Sequence, residues 1–186
     1  MDADRLQGMW QYFLMLESDL DDTFRYIDPA GQENVHSFEF AKILILACTE
    51  VESVFKALCC EITGSNSADN IKKYREIILE RFPKITDAKV QIKRLCRVVY
   101  PFEGWERESP VWWRAYQGVK HNRGEYFSDA TYQNASVALA GLYVLIFYLA
   151  KLTQIRFNDY VSKCFESDYE SIMPVYGSQK QLPDFE

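Results

Sequence analysis

The sequence predicts an all-α fold, a single up-and-down bundle of about five to six helices. Apolar residues recur at helical spacing over long stretches, and short segments rich in Pro, Gly, Ser and Asn separate these stretches. The 186 residues, 48% hydrophobic and 26% charged, suit one globular domain with a substantial core. We therefore predict one helical domain over residues 1–173 and a flexible tail over residues 174–186.

The first two predicted helices are the clearest. Apolar side chains follow helical spacing over residues 3–27, and the sequence Asp28-Pro29-Ala30-Gly31 then supplies a turn. A second helix runs from about Ser37 to Ile62 and ends at Gly64. Its broad apolar stripe predicts a central packing helix.

A third helix is predicted after the loop that follows Gly64. Asp69 or Asn70 can cap its first turn, and it runs to roughly Arg81 before ending near Pro83.

The segment 84–108 is ambiguous between helix and hairpin. Val90 and Ile92 alternate with polar residues as in a strand, whereas the apolar residues from Ile92 to Val99 equally suit a helix. We expect a short helix here. The following residues, 101–105, predict an ordered loop whose aromatic side chains cover the base of the next helix.

The fourth predicted helix lies within SPVWWRAYQGVKHNRG, residues 109–124. Ser109 can cap its first turn, Pro110 suits the first helical position, and Gly124 can adopt the left-handed conformation after its end. Its two adjacent tryptophans could stack on bases, but we expect them to anchor the helix in the core.

The fifth predicted helix covers residues 129 to about 154. It contains fourteen consecutive apolar residues from Val137 to Ala150, fewer than the roughly 20 that cross a membrane. We expect a buried or dimer-facing helix and no membrane span. Residues 155–173 are predicted to continue as one further helix or a bent extension.

Arg114 and His121 share one face of the fourth helix. They are seven residues apart, which leaves them about 20° from alignment and roughly 10 Å apart along the axis. Metal-independent RNA cleavage needs a base for the ribose 2′-hydroxyl, an acid for the leaving oxygen and a cation over the phosphate. Histidine and arginine provide these groups, although one helix alone gives an open site. A two-fold dimer with antiparallel copies of this helix would complete it.

The Arg114–His121 spacing resembles the RNase motif of the HEPN family of helical-bundle proteins, an Arg followed by four to six residues and a His. The flanking stretches WWRAYQGVKHNR, LACTEVESVFKAL and SVALAGLYVLIFYLAKL are similar to successive helices of bacterial HEPN-like domains, so the resemblance covers roughly residues 38–155. It implies a HEPN-like fold, a ribonuclease activity and a composite dimer site. One departure is Ala115, because many active members have a polar residue directly after the Arg.

The charge distribution also favours RNA near this helix. Residues 72–123 carry a net charge of +7, whereas residues 1–71 carry −9 and residues 124–186 carry −4. RNA binding is largely electrostatic. Lys120, Asn122 and Arg123 are candidate RNA-binding residues, although solvated helix faces would give the same pattern.

Two residues carry structural alternatives. Glu50 lies near the apolar edge of the second helix, and if it is buried it needs a cationic partner, for which Arg114 is a candidate. Arg114 would then be a structural ion-pair residue and His121 a helix-end cap. His36 has no second histidine nearby, so we treat it as exposed or capping.

The remaining features narrow the class of protein. The amino terminus lacks the pattern of a secretory signal, and five cysteines are an odd number, so we expect a cytoplasmic protein with free thiols. No metal-ligand cluster, glycine-rich phosphate loop or nucleophile elbow is evident, and we predict no cofactor and no metal site.

Two functions stay open. The first is a metal-independent endoribonuclease of toxin or antiviral-defence type, which acts as a homodimer with a composite site of Arg114 and His121, supported by Glu50. Its expected partners are RNA and an antitoxin or nucleotidyltransferase-like protein. The alternative is a non-catalytic HEPN-like module for dimerisation, RNA binding or partner binding.

Overall fold

The computed structural model describes residues 1–156 and 161–167. This part of the chain contains five α-helices and a small three-stranded antiparallel sheet. The helices are α1 (Ala3–Thr23), α2 (Phe38–Thr63), α3 (Ile71–Arg81), α4 (Val111–Tyr126) and α5 (Tyr132–Thr153), and the strands are β1 (Val90–Ile92), β2 (Arg97–Val99) and β3 (Phe165–Glu166). The chain is therefore mostly helical as predicted, but the sheet departs from an all-α fold.

Side-chain caps set the helix ends that the sequence predicted. The Ser37 side chain accepts a hydrogen bond from the backbone N–H of Phe40 (3.1 Å), and Gly64 ends α2 in the left-handed conformation (φ 71°). Asn70 caps α3 through two backbone N–H groups. The bounds predicted for α2 and α3 are confirmed, whereas α1 ends at Thr23, four residues before its predicted end.

Helices α2 and α5 form the centre of the core. His36, two residues before α2, and Thr131, directly before α5, pair as an isolated antiparallel bridge. The backbone N–H of Tyr132 also donates to the Val35 carbonyl (2.9 Å). Both helices therefore begin at the same end of the molecule.

The apolar helix α5 is a core helix. Its length and apolar composition are sufficient for a membrane span, but 83% of its most apolar stretch is buried within the protein. Every residue from Ala138 to Ala150 is buried. Burial against the protein's own helices accounts for the apolar run, as the sequence predicted.

Residues 90–99 form a β-hairpin, so a helix from Ile92 to Val99 was wrong, whereas Pro83–Asp87 form a short 3-10 helix. The strands β1 and β2 pair with Val90 opposite Val99, and Cys96 takes a left-handed conformation (φ 47°) at the turn. Val90 and Ile92 are buried while Gln91 between them is half-buried, which is the period-2 pattern of a strand.

The strand β3 completes the sheet from the far end of the chain. It pairs with β1, with Phe165 opposite Ile92. The helix expected over residues 155–173 is wrong for the described part, because α5 ends at Thr153 and β3 is extended. Residues 157–160, 168–173 and the predicted tail 174–186 lie outside the described residues.

A buried carboxylate holds this terminal segment in place. Glu17 of α1 is only 2% exposed, and it accepts hydrogen bonds from the Ser162 hydroxyl and from the backbone N–H groups of Lys163 (3.1 Å) and Cys164 (2.9 Å). The Ser162 oxygen in turn accepts from the backbone N–H of Phe165 (2.8 Å). Glu17 therefore joins α1 to the segment directly before β3.

Candidate functional site

The helix α4, which carries the Arg114/His121 pair, begins without a side-chain cap. Pro110 precedes the first helical residue, Val111, with extended backbone angles (φ −53°, ψ 150°). The predicted cap at Ser109 and helical position for Pro110 were therefore wrong by one residue. The fixed φ of proline still directs the chain into the helix.

Two tryptophans fix α4 against the core, as predicted. Trp112 is 2% exposed and Trp113 is 5% exposed. The Trp112 indole N–H donates to the Pro101 carbonyl (2.7 Å), and the Phe102 ring packs edge-on against the Trp112 ring. The predicted role of loop 101–105 in covering the base of this helix is confirmed, because Phe102 is fully buried there.

The opposite side of α4 is open to solvent. Trp112, Trp113, Tyr116 and Val119 are buried, whereas Arg114 and His121 are exposed and Gln117 and Gly118 are half-buried. These last four residues follow the i, i+3, i+4, i+7 spacing of one helix face. We call them the motif face. The predicted alignment of Arg114 with His121 is consistent with this burial pattern.

Arg114 is bound at the start of its own helix. Its Nη1 donates to the Glu108 carboxylate (2.5 Å) and to the Ser109 carbonyl (2.8 Å). Side chains on a helix lean toward its amino terminus, which directs the guanidinium to this end. Among the described residues no hydrogen bond uses Nε or Nη2, so these donors are available for a phosphate.

Glu50 is not the partner of Arg114, so that expectation was wrong. Glu50 is half-buried on α2, and burial raises the pKa of its carboxyl group, with the nearby Arg5 charge acting in the opposite direction. Glu108 supplies the carboxylate instead, because it lies beside the amino-terminal end of α4, toward which Arg114 leans.

Ala115 points into the protein, and it is only 6% exposed. A polar side chain at this position would face the core and would need a buried hydrogen-bond partner. The packing of α4 therefore accounts for the alanine that follows Arg114.

His121 is the last residue of the regular part of α4. It is exposed, and no hydrogen bond or ion pair within residues 1–156 and 161–167 involves its ring, so the alternative of a capping role is not supported. The next residue, Asn122, breaks the helix with non-helical angles (φ −146°, ψ 66°). The predicted end at Gly124 was therefore wrong, since Gly124 does not adopt a positive φ.

The break at Asn122 turns the chain back onto α4. The Asn122 amide donates to the Glu125 carboxylate (2.7 Å), which stabilises the reversal. The Tyr126 ring then packs on Gly118: an ideal Cβ added to Gly118 would lie 2.8 Å from Tyr126 Cγ and 3.0 Å from both Cβ and Cδ1. Only glycine at position 118 permits this approach.

The three candidate RNA-binding residues differ in the hydrogen bonds and ion pairs that they form within the protein. The Lys120 ammonium donates to the Tyr116 hydroxyl (2.9 Å), and this hydrogen bond raises the pKa of Lys120. Asn122 is engaged by Glu125, as described. Arg123 is exposed and has no ion pair in the described part of the chain. Lys120 and Arg123 therefore add positive charge beside His121.

The basic segment is spread over several elements. Its thirteen Lys and Arg side chains lie on α3, the segment between α3 and β1, the hairpin, the loop before α4, and α4 itself. In the described part of the chain Lys73, Arg97, Arg107 and Arg114 form ion pairs with carboxylates, and the partners of Lys73 and Arg97, which are Asp69 and Glu33, lie outside the segment. The net charge of +7 is thus partly neutralised where it lies.

Sequence reasoning missed Glu108, Gly118 and Tyr126. Glu108 could have been found from the lean of Arg114 toward the helix start. A glycine inside a helical pattern, such as Gly118, indicates either a loss of helix stability or a close contact with another part of the chain. Tyr126 had no signal of its own, because its position depends on the break at Asn122.

Within the described residues there is no group of three or more His, Cys, Asp or Glu side chains that could hold a metal ion. All five cysteines are free thiols. Comparisons with protein-family models, curated proteins and solved structures found no match to this chain. The HEPN resemblance therefore stays a prediction.

Proposed function

We propose that this protein is a metal-independent endoribonuclease of toxin or antiviral-defence type. One observation carries the proposal: Arg114 and His121 are both exposed on the motif face of α4, while the opposite side of the same helix is fixed in the core. A rigid helix that presents a guanidinium and an imidazole to solvent suits phosphodiester chemistry. Within this proposal the enzyme acts in the cytoplasm, and an antitoxin or nucleotidyltransferase-like protein restrains it.

The two side chains have complementary roles in cleavage. The imidazole of His121 accepts the proton of the ribose 2′-hydroxyl, whose oxygen attacks the adjacent phosphorus while the bond to the 5′ oxygen breaks. The free Nε and Nη2 donors of Arg114 bind the phosphate oxygens, where negative charge develops. The products are a cyclic phosphate and a 5′-hydroxyl, and the latter requires a proton from a second acid.

A second copy of the chain would supply that acid. Arg114 leans toward the start of α4 and His121 lies at its end, so their functional groups diverge within one chain. In a two-fold dimer with antiparallel α4 helices, Arg114 of one copy would approach His121 of the other, and one shared cleft would hold two Arg and two His. One would act as base and the other as acid.

The primary test is RNA cleavage in the presence of a chelator. We expect His121→Ala and Arg114→Ala each to lower the cleavage rate by at least about 100-fold, because general acid–base catalysis and the stabilisation of developing charge each contribute about that much. His36→Ala is a matched control, since His36 is also exposed and is the one other histidine in the sequence. Full activity in a purified, folded His121→Ala protein would refute the proposal.

Mixing the inactive variants tests the composite site. If the productive Arg and His come from different chains, a heterodimer of Arg114→Ala and His121→Ala subunits regains one mixed Arg–His pair. It should cleave RNA faster than either homodimeric variant but slower than wild type, because only one imidazole remains. If both act within one chain, the heterodimer stays inactive. Differently tagged subunits allow its isolation, and an active monomer in sedimentation would contradict the dimer mechanism.

The second candidate function is a non-catalytic helical module that dimerises or binds a partner. The observation in its favour is the double engagement of Arg114 by Glu108 and the Ser109 carbonyl, which gives the guanidinium a structural role at the start of α4. In that case Arg114→Ala lowers stability, and neither variant changes RNA cleavage relative to wild type.

A further inference from the structure

The tyrosine that packs on Gly118 lies along the motif face. Gly118 is four residues after Arg114 and three before His121, which corresponds to about 6 Å and about 4.5 Å along the helix axis. The Tyr126 ring on Gly118 therefore occupies the interval between the two motif residues.

The orientation of this ring follows from the three Gly118 distances. The ideal Cβ of Gly118 is almost equally distant from Cβ, Cγ and Cδ1 of Tyr126 (3.0, 2.8 and 3.0 Å). A point in the ring plane cannot satisfy these distances, so Gly118 lies over one face of the ring. The other face is directed away from α4.

The Tyr126 side chain is also open to solvent. Tyr126 is 40% exposed, and none of the described residues stacks on its ring or bonds to its hydroxyl group. Most other tyrosines and tryptophans near α4, such as Trp113 and Tyr116, are buried. Tyr126 is thus an aromatic surface that α4 holds in a fixed place but leaves open.

We propose that Tyr126 is the base-stacking residue of this site, and that its substrate class is single-stranded RNA. The inference rests on the proposed function for the roles of Arg114 and His121. One nucleobase stacks on the outer face of Tyr126, and the phosphate beside it reaches the guanidinium and the imidazole. Stacking is insensitive to base identity, because every base has a π-face.

Stacking on Tyr126 requires an unpaired base. In a duplex both faces of each base are covered by its neighbours, and proteins contact mainly the backbone and the grooves. In a single strand a base can turn outward and lie on an aromatic ring. The site therefore discriminates single strands from duplexes through Tyr126 and not through Arg114.

The test uses a labelled 2′-O-methyl RNA strand, which binds without being cleaved, as a single strand or annealed to its complement. Tyr126→Leu keeps an apolar side chain on Gly118 but removes the ring. We expect it to weaken single-strand affinity about 5- to 150-fold, the range for loss of one stacked base. Tyr126→Phe keeps wild-type affinity, duplex affinity does not change, and Tyr26→Leu is the matched exposed control.

A measurement on the wild-type protein covers the case in which Tyr126→Leu fails to fold. The ring proton resonances of Tyr126 shift upfield on addition of the single strand and not on addition of the duplex, because a stacked base shields them. Absence of that shift, or wild-type single-strand affinity in a folded Tyr126→Leu protein, overturns the inference. An equal loss for both RNA forms also overturns it.

The same experiment separates this inference from the proposed function. If His121→Ala abolishes cleavage but Tyr126→Leu leaves single-strand affinity unchanged, the ribonuclease proposal stands and the stacking role fails. If single-strand binding depends on Tyr126 but wild type cleaves no RNA, the stacking role stands and the catalytic proposal fails.

Discussion

The contact between Gly118 and Tyr126 predicts that Gly118→Ala destabilises the protein, whereas most glycine-to-alanine substitutions inside helices are stabilising. Alanine in a helix interior is normally more favourable than glycine by about 1 kcal/mol. At position 118 the new methyl group would lie 2.8 Å from Cγ of Tyr126 and 3.0 Å from its Cβ, close to the backbone of that residue. Rotation of the Tyr126 side chain does not move its Cβ atom, which is held by the backbone. The clash can therefore be relieved only if the backbone after Asn122 moves.

The expected magnitude follows from the burial of Tyr126. The residue is 40% exposed, so displacement would release up to about 120 Å² of surface, worth about 3 kcal/mol at 25 cal/mol per Å². The alanine gain of about 1 kcal/mol offsets part of this loss. We expect Gly118→Ala to lower the free energy of unfolding by about 1–2 kcal/mol, which corresponds to a Tm decrease of about 2–8 °C for a protein of this size.

Gly8→Ala is the matched control for thermal and urea unfolding. Gly8 lies in the exposed part of α1, and its added Cβ would meet no atom within 4 Å. It should raise the free energy of unfolding by about 0.5–1 kcal/mol. In a Tyr126→Ala background Gly118→Ala should also become stabilising, since the clash is gone. If Gly118→Ala stabilises the wild-type protein as Gly8→Ala does, the described reversal of the chain is wrong.

Two further substitutions test other contacts. Glu108→Gln removes the ion pair at Arg114, which is about half exposed. We expect RNA affinity to rise up to about five-fold, because the Nη1 donor of Arg114 becomes available. Unchanged or weaker RNA binding would contradict a phosphate-binding role for Arg114. Glu17→Ala leaves the donors of Ser162, Lys163 and Cys164 without their acceptor; we expect a loss of about 2–5 kcal/mol in urea unfolding, and wild-type stability would show that the terminal segment is not held by this carboxylate.

Helices with strong local signals could be predicted from the sequence. The bounds of α2 follow from its apolar period and from the residues at its ends, Ser37 and Gly64, and Asn70 likewise marks the start of α3. The burial of Trp112 and Trp113 follows from their size and spacing. In each case the information lies within about one helical turn of the residue concerned.

Features set by distant partners could not be predicted in this way. The strands β1 and β2 are three residues each, and β1 also pairs with β3, which lies more than 70 residues later. A window of local sequence contains no trace of that pairing, so a short helix was an equally consistent interpretation. The break at Asn122 is similar, because the packing of Tyr126 on Gly118 stabilises it.

In the candidate site, too, the features set by local sequence were predictable and those set by distant residues were not. The shared face of Arg114 and His121 follows from helix geometry alone and is consistent with their exposure. The ion partner of Arg114 depends on the path of the preceding loop, which the sequence left open, and the expectation of Glu50 was therefore wrong. Tyr126 reaches the motif face through a chain reversal that no periodicity indicates.

The bond between Glu17 and Ser162 joins residues 145 positions apart, and this separation matters during synthesis. At about 5–20 residues per second, a ribosome needs roughly 7–30 s to add the intervening chain. During that time the Glu17 carboxylate has none of its later hydrogen-bond donors, and the hydrated carboxylate has a lower free energy than a buried, unpaired one. The helix α1 therefore reaches its final place only after β3 has been made, and a nascent chain stopped before Ser162 would leave the Glu17 carboxylate without its hydrogen-bond donors.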